Sequence, residues 1–460
     1  MKKLVFCIIF LHVSAFVYPQ LMFERTFGGA NSDGGRSVIQ TKDEGYAILG
    51  FTVSFGVGKS DIYLIKTNAY GDTIWTRTYG GNEDESGYQI LQLSNGEYIL
   101  CGYTNSYGAG QTDAFFIKTD PYGNVVWAKT YGGTENDFGG KFIQTSDSGF
   151  FICGSTKSYG SGSSDIYLIR TDKNGDTLWT KTYGGVDWDY AGPVIQTFDG
   201  GFLIAGEITY SATDNVRIEL FHTDQGGNIL WTKYYQFCKW NHPSGLIQTN
   251  DGGYIISGST YDEEWNPFLL KVDINGDSTW TKTYQWINSG VATSVFQDIN
   301  GDYLIAGHTE DVFLVKTNTG GDTLWTRTFG NQFDDYGFDL VGTKDGGFII
   351  TGFEEVSDGG PWDVLLIKTN ASGIVGIDET YESLKNGIIA YPNPTKGKIT
   401  IEHNSSNNKY ELYDATGNIL IKSTPFNLKF EIDLSKYSNG IYFLTLGDKG
   451  GKVLRKIVKE

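Results

Sequence analysis

Five of the eleven tryptophans in this 460-residue chain, Trp188, Trp240, Trp265, Trp286 and Trp362, stand at irregular positions among carboxylates and other aromatics. Their surroundings and equivalent segments carry Asp84, Glu85, Asp137, Asp189, Asp262, Glu263, Glu264, Asp334 and Asp335, with Phe55, Tyr107 and Tyr159. Aromatic faces stack on the C–H faces of sugar rings and carboxylates accept from sugar hydroxyls, so this combination suits a glycan or a protein surface. The candidate ligand-binding residues are Trp188, Trp240, Trp265, Trp286, Trp362, Tyr107, Tyr159, Asp189 and Asp335. A competing role for the tryptophans is to cap a core, and the residues alone leave both roles open.

Catalysis needs a positioned nucleophile, base or metal. The histidines of the chain's body are His222, His242 and His308, none paired at ligand spacing. HExxH, GxSxG, CxxC and GxGxxG do not occur. No catalytic residue, cofactor or metal site is therefore assigned. The loops GVGKSD (56–61), GAGQTD (108–113) and GSGSSD (160–165) are similar to calcium-binding glycine–aspartate repeats, as is the segment from Asp273 to Asp277. The three loops are off by one from the repeat spacing, and all four segments read as turns, which leaves calcium as the single cofactor to consider. Carboxylates remain abundant, so acid and base work is the alternative to pure binding.

The elements that must position these residues are set by the other six tryptophans. Trp75, Trp127, Trp179, Trp231, Trp280 and Trp325 recur at spacings of 52, 52, 52, 49 and 45, and Phe23 stands 52 before the first. Each belongs to a copy of a phrase that reads DIYLIRTDKNGDTLWTKTYGG from Asp165 to Gly185. A period near 50 is the length of one small sheet that cannot bury its own faces and must stack on neighbours. In the third unit FGGKFIQT (138–145), GFFICGST (149–156), DIYLIRT (165–171) and TLWTKTY (177–183) read as four strands joined by tight turns, the strand count of a propeller blade.

Seven copies of the first three strands occur, the last from Tyr336 to Thr369, and no WTKTY-like strand follows it. LMFERTF (21–27) matches that missing strand. The expected fold is all-β: a seven-bladed β-propeller over residues 21–377, closed by the N-terminal strand. In such blades the irregular tryptophans all fall in two loop classes that share one face. The alternative function is a surface polysaccharide hydrolase or lyase using carboxylates at the propeller mouth.

The segment DKNGDTLW resembles the repeat of quinoprotein-like propellers, in which an acidic turn and a glycine precede a docking tryptophan, although the gap from Asp172 to Gly175 is one residue shorter. The GGF and GGY starts of the second strand look like kelch blades. The resemblance implies a docking role for the six regular tryptophans. The vicinal cysteine pair of quinoprotein enzymes does not occur, and Arg25, Arg36, Arg77, Arg170, Arg217 and Arg327 mostly fall in or beside strands rather than clustering as in sialidases.

Sixty-one glycines, 29 tyrosines and 28 phenylalanines against two methionines fit short strands and tight turns. Lys2 and Lys3 precede an apolar run from Leu4 to Val17, which reads as a secretory signal peptide over residues 1–20. No later stretch approaches the roughly 20 apolar residues of a membrane helix, so no integral membrane segment is expected after cleavage. The remaining Cys101, Cys153 and Cys238 are odd in number, and Cys101 and Cys153 share a slot that suits a small buried side chain. Residues 21–377 hold 22 Lys and Arg against 44 Asp and Glu, whereas residues 388–460 hold 11 against 7. An acidic body repels phosphate backbones and anionic lipid, which argues against nucleic acid as a partner.

After a polar linker, 378–387, the repeat gives way to alternating strands and turns over residues 388–460, expected to form a small antiparallel β-sandwich. Pro392, Asn393 and Pro394 with Gly397, then Tyr413 and Asp414 with Gly417, then Gly440 and Tyr442, and the terminal KIVK appear in one order. In these motifs the segment resembles the C-terminal sorting domain of type IX secretion cargo. The resemblance implies handling by the type IX secretion machinery and a secreted or outer-surface location in a Gram-negative bacterium. The function expected is a non-catalytic binding or adhesion module for a glycan or surface protein.

Overall fold

Each repeat closes on itself because its turns are made by residues that can make them. The computed structural model describes residues 22–210, 212–213, 215–285, 289–375, 388–391, 395–403, 409–414, 418–423, 429–448 and 451–459. In the third repeat Asp137–Gln144, Phe150–Thr156, Asp165–Thr171 and Thr177–Tyr183 form an antiparallel sheet in sequence order. In its last turn Asp172 Oδ1 accepts from the amides of Asn174 and Asp176 at 2.8 and 2.9 Å, and Gly175 takes φ +78°. The third strand is buried throughout, while the fourth is half exposed.

Seven such sheets lie between Phe23 and Thr369, and no helix occurs among the described residues. The first strand of the fourth sheet is interrupted: Asp189–Tyr190 and Val194–Gln196 flank Ala191, Gly192 and Pro193, where proline has no N–H to give the ladder. Hydrophobic clusters form between sheets rather than within them. Leu304 and Leu314 of the sixth sheet pack with Ile350 and Leu365 of the last, as Val38 and Ile48 of the first pack with Ile349 and Leu366 of the last. The arrangement is propeller-like.

The repeated tryptophan couples neighbouring sheets. A Cβ at Gly123, Gly175, Gly227, Gly276, Gly321 or Gly373 would lie 2.6–2.9 Å from Trp75, Trp127, Trp179, Trp231, Trp280 or Trp325 of the preceding sheet. Tyrosine follows the same path: Tyr79, Tyr131 and Tyr284 donate to the carbonyls of Gly123, Gly175 and Gly321 at 2.7, 2.6 and 2.9 Å. A second repeated tie lies within each sheet, where a cation of the third strand meets an acid of the first hairpin. Lys66 pairs with Asp43, Lys118 with Glu97, Arg170 with Asp147, Lys271 with Asp251, Lys316 with Asp298 and Lys368 with Asp345, and His222 faces Asp199 in the fourth.

At the two ends of this region Phe23–Phe27 pairs antiparallel with Trp362–Thr369. Contacts used between sequence neighbours recur there. Gln92, Gln196 and Gln297 each accept a backbone amide of the preceding sheet at 3.0 Å, from Lys42, Ser146 and Asn250, and Gln40 accepts from Lys344 at 2.8 Å.

The chain divides into two compact units, Met1–Val375 and Gly376–Glu460. The second unit has a three-stranded sheet, ordered Ile388–Tyr391, Lys398–His403, Lys429–Asp433. Its four-stranded sheet is ordered Ile419–Ser423, Lys409–Asp414, Gly440–Asp448, Gly451–Lys459. Ile399, Ile401 and Ile432 from one sheet share a core with Leu412, Leu444 and Ile457 from the other. Residues 1–20, expected to be a signal peptide, and 378–387, expected to be a linker, lie outside the described residues.

Candidate functional site

A β-bulge inserts one residue that no partner opposes, and so re-aims its side chain. The first strands of six sheets carry one at the same place: the register skips Arg36, Tyr88, Gly140, Ser244, Thr293 and Phe338. In the remaining sheet the interruption at Gly192 occupies this position. All seven residues line one cavity of about 340 Å³, bordered by every sheet of the first unit. Their spacings of 52, 52, 52, 52, 49 and 45 follow those of the docking tryptophans, but their identities do not repeat.

The cavity is lopsided. Four small residues border one side, whereas Phe338, Arg36 and Tyr88 stand on three sheets that touch in succession. The guanidinium carbon of Arg36 lies 5.6, 5.3, 5.5 and 5.6 Å from the rings of Phe51, Tyr88, Phe338 and Phe353. Its buried Nε has no hydrogen-bond partner among the described residues. Lys141 also borders the cavity. The bulge residues escape a reading based on repetition because they vary; the signal that finds them is a fixed slot with changing chemistry.

Among the described residues, the irregular tryptophans stand in separate ring groups. Trp240 stacks on Tyr261 at 4.9 Å and contacts Trp265 at 6.4 Å, with His242 5.2 Å from Trp265. His242 Nδ1 lies 2.9 Å from Glu207. Trp362 stacks on Phe353 at 5.7 Å and so adjoins the ring set around Arg36. Trp188, 41% exposed, stacks on Tyr190 with Lys157 Nζ 4.5 Å above its ring. Trp240, Trp265 and Trp362 open strands instead of lying free in loops. Trp286 lies outside the described residues.

Tyr107 and Tyr159 are about half exposed, but their hydroxyls donate to the carbonyls of Gly80 and Gly132, each at 2.9 Å. They are struts between sheets with an accessible ring edge. Asp189 and Asp335, expected as ligand acceptors, are both fully buried. Asp335 Oδ2 accepts from Asn331 N at 2.7 Å and Oδ1 from Glu355 N at 3.3 Å; Asp189 accepts from the amides of Gly185 and Thr209. Asp33, Glu85 and Asp137 do the same work in their sheets.

The calcium-like loops are tied turns. The carboxylates of Asp61, Asp113 and Asp165 accept two amides each, from Val57 and Gly58, Ala109 and Gly110, and Ser161 and Gly162. Where one sheet meets the next, two of these acids converge behind a glycine. A Cβ on Gly330 would lie 2.4 Å from Asp335 Oδ2 and 2.7 Å from Asp311 Oδ1. Burial, with Glu354 and Asp311 adding like charge, pushes the Asp335 carboxyl up to about 6.

A groove of about 640 Å³ between the third and fourth sheets holds Glu219, Tyr210 and Tyr234. Glu219 is 8% exposed, and burial raises its carboxyl above the usual range, with Asp189 adding like charge and the Tyr234 hydroxyl, 3.0 Å away, opposing the rise. Cys101 and Cys153 are buried free thiols in the core, and burial holds Cys101 up at about 12. Cys238 is a half-buried free thiol.

Of the sorting motif, Pro392, Asn393, Pro394 and Gly417 lie outside the described residues. The Gly397 carbonyl accepts from Leu434 N at 2.6 Å, joining the turn to the core edge. Gly440 opens its strand at φ +151°, and Tyr442, 6% exposed, sits in the core with its hydroxyl on the Ser438 carbonyl.

A stretch of 174 residues, 32% of the chain, is 25% identical to the regulatory protein FlaEY of Caulobacter vibrioides, of which it spans 18%. Among solved structures, the chain is similar to PorZ of Porphyromonas gingivalis, a surface component of its type IX secretion system. That likeness has a TM-score of 0.42 and 11% identity, over 90% of this chain and 58% of that one. It is also similar to the Pan2 WD40 domain of Neurospora crassa, with a TM-score of 0.47 and 12% identity, over 76% and 98%. Residues 389–460 match the family described as a secretion system C-terminal sorting domain. The chain thus ends in a type IX sorting domain, and that tail identifies it as a secreted or outer-surface protein of a Bacteroidetes-type Gram-negative bacterium.

Proposed function

We propose that residues 21–377 form a seven-bladed β-propeller whose ring the N-terminal strand completes, and that it serves outside the cell as a non-catalytic binding or adhesion module for a glycan or surface protein. A leader at 1–20, a linker at 378–387 and the sandwich at 388–460 complete this reading. The pairing of Phe23–Phe27 with Trp362–Thr369 and the Lys344–Gln40 bond support the ring.

The observation that carries the binding role is the division of labour within the repeat. Residues that build sheets are repeated, whereas the bulge residues facing the cavity differ from sheet to sheet. The repeated acids that could have served a hydrolase are engaged with backbone amides instead. Glu219 is the group that favours the hydrolase or lyase reading, being buried in a groove with a raised carboxyl pKa. Its neighbour Asp189 is held by two amides and has no free role as a second carboxylate.

The test is a glycan and surface-protein array probed with the purified chain, together with a polysaccharide panel assayed for product. Saturable binding without turnover is expected. Turnover that disappears in Glu219→Gln would replace this reading with the enzymatic one.

A further inference from the structure

We propose that the central cavity is a carboxylate-recognition site that takes an acidic monosaccharide unit, a hexuronate, with Arg36 as its anchor. The proposal deepens the binding reading above and rests on it.

Arg36 is half-buried and differs from the cations that the third strands carry. Lys66, Arg170, Lys271, Lys316 and Lys368 each meet an aspartate of their own sheet. Arg36 meets four aromatic rings and, among the described residues, no carboxylate. The four rings surround the guanidinium, and its buried Nε has no hydrogen-bond partner among the described residues. A guanidinium held in one plane presents parallel donors that match the two oxygens of a carboxylate. A buried donor without an acceptor costs stability, and a carboxylate oxygen within its reach removes that penalty.

The rest of the cavity describes the ligand's body. Lys141 adds a second positive charge at the border, and it has no ion pair among the described residues. Ser244 Oγ donates to the Ala292 carbonyl at 2.7 Å and Thr293 Oγ1 to the Gly337 carbonyl at 3.0 Å. With their protons engaged by backbone carbonyls, both hydroxyl oxygens are left to act as acceptors, which suits the hydroxyls of a polyol. A volume of about 340 Å³ is at the small end of ligand sites, and the small residues at Gly140 and Gly192 leave room for one ring. A positive, acid-free cavity in a chain of net charge -18 also draws anions toward it and away from the remaining surface.

Thermal shift and calorimetry on the full chain test this with D-glucuronate, D-glucose, acetate and sulfate. D-Glucuronate should raise the melting temperature and bind at least about tenfold more tightly than D-glucose, with acetate and sulfate weaker than D-glucuronate. Arg36→Gln should abolish the shift, and Lys141→Gln should weaken binding while leaving the melting of the free protein unchanged. Equal effects of D-glucuronate and D-glucose, equal effects of sulfate and D-glucuronate, or unchanged affinity in a folded Arg36→Gln would each overturn the proposal. If Arg36→Gln does not fold, Lys141→Gln decides, and undiminished affinity there overturns it. A positive array with a silent cavity would reject this site while leaving the binding module standing.

Discussion

Phe23 rests against Gly71 as each repeated tryptophan rests against the glycine of the following sheet: a Cβ on Gly71 would lie 2.6 Å from the Phe23 ring. The first described strand thus stands in the tryptophan slot of the last sheet and docks on the first. Phe23 is 7% exposed, so Phe23→Ala should cost about 3–4 kcal/mol, whereas Phe23→Trp should be tolerated. Deletion of residues 21–28 should abolish a single cooperative melting transition, followed by calorimetry. An unchanged transition would contradict closure by this strand.

The glycines facing tryptophan can be separated from those needed for turn geometry alone. Gly123 and Gly252 both have positive φ, +79° and +86°, but a Cβ on Gly123 meets Trp75 whereas one on Gly252 meets nothing within 4 Å. Gly252→Ala should therefore cost only backbone strain, about 1 kcal/mol, and Gly123→Ala about 1–3 kcal/mol more, measured by chemical denaturation.

Asp335 should make stability fall as pH rises. Its folded pKa of about 6 exceeds the unfolded value of about 3.9, so the folded state holds the extra proton between them. Stability is then lost from about pH 4 to about pH 6, and the loss persists above that window. Asn241 occupies the equivalent position in the fifth sheet and accepts the amide of Phe237 at 3.2 Å. Asp335→Asn should flatten this part of the pH–melting profile and raise the melting temperature at pH 7.5 by about 1–3 °C. A parallel profile would show that Asp335 is not the titrating group.

The exposed tryptophans should separate binding from stability. Trp188→Ala should leave melting within about 1 °C, because its ring is exposed and meets Tyr190 and Lys157, themselves at the surface. Trp362→Ala should lower stability by about 1–3 kcal/mol through loss of its stack on Phe353, and should also weaken ligand binding if Phe353 holds the Arg36 plate. Array binding and melting of both variants check this, and unchanged binding in folded Trp362→Ala would separate that face from the cavity.

Periodicity is local information, and it was enough to reveal the four-stranded unit, the seven sheets' worth of strands, the docking tryptophans and the sorting tail. Each follows from apolar alternation, turn residues and motifs that neighbours in sequence must satisfy. The roles of Asp189 and Asp335 were hidden because a carboxylate beside an aromatic loop reads the same whether it faces solvent or ties down backbone amides 4 and 20 residues away. Nor could the cavity be read from the chain: Arg36 and Phe338 are neighbours only because a bulge turns each inward and the first and last sheets pack together. A repeat announces the parts that must be alike, while the bulges bring the unlike residues together, and that convergence exists only in three dimensions.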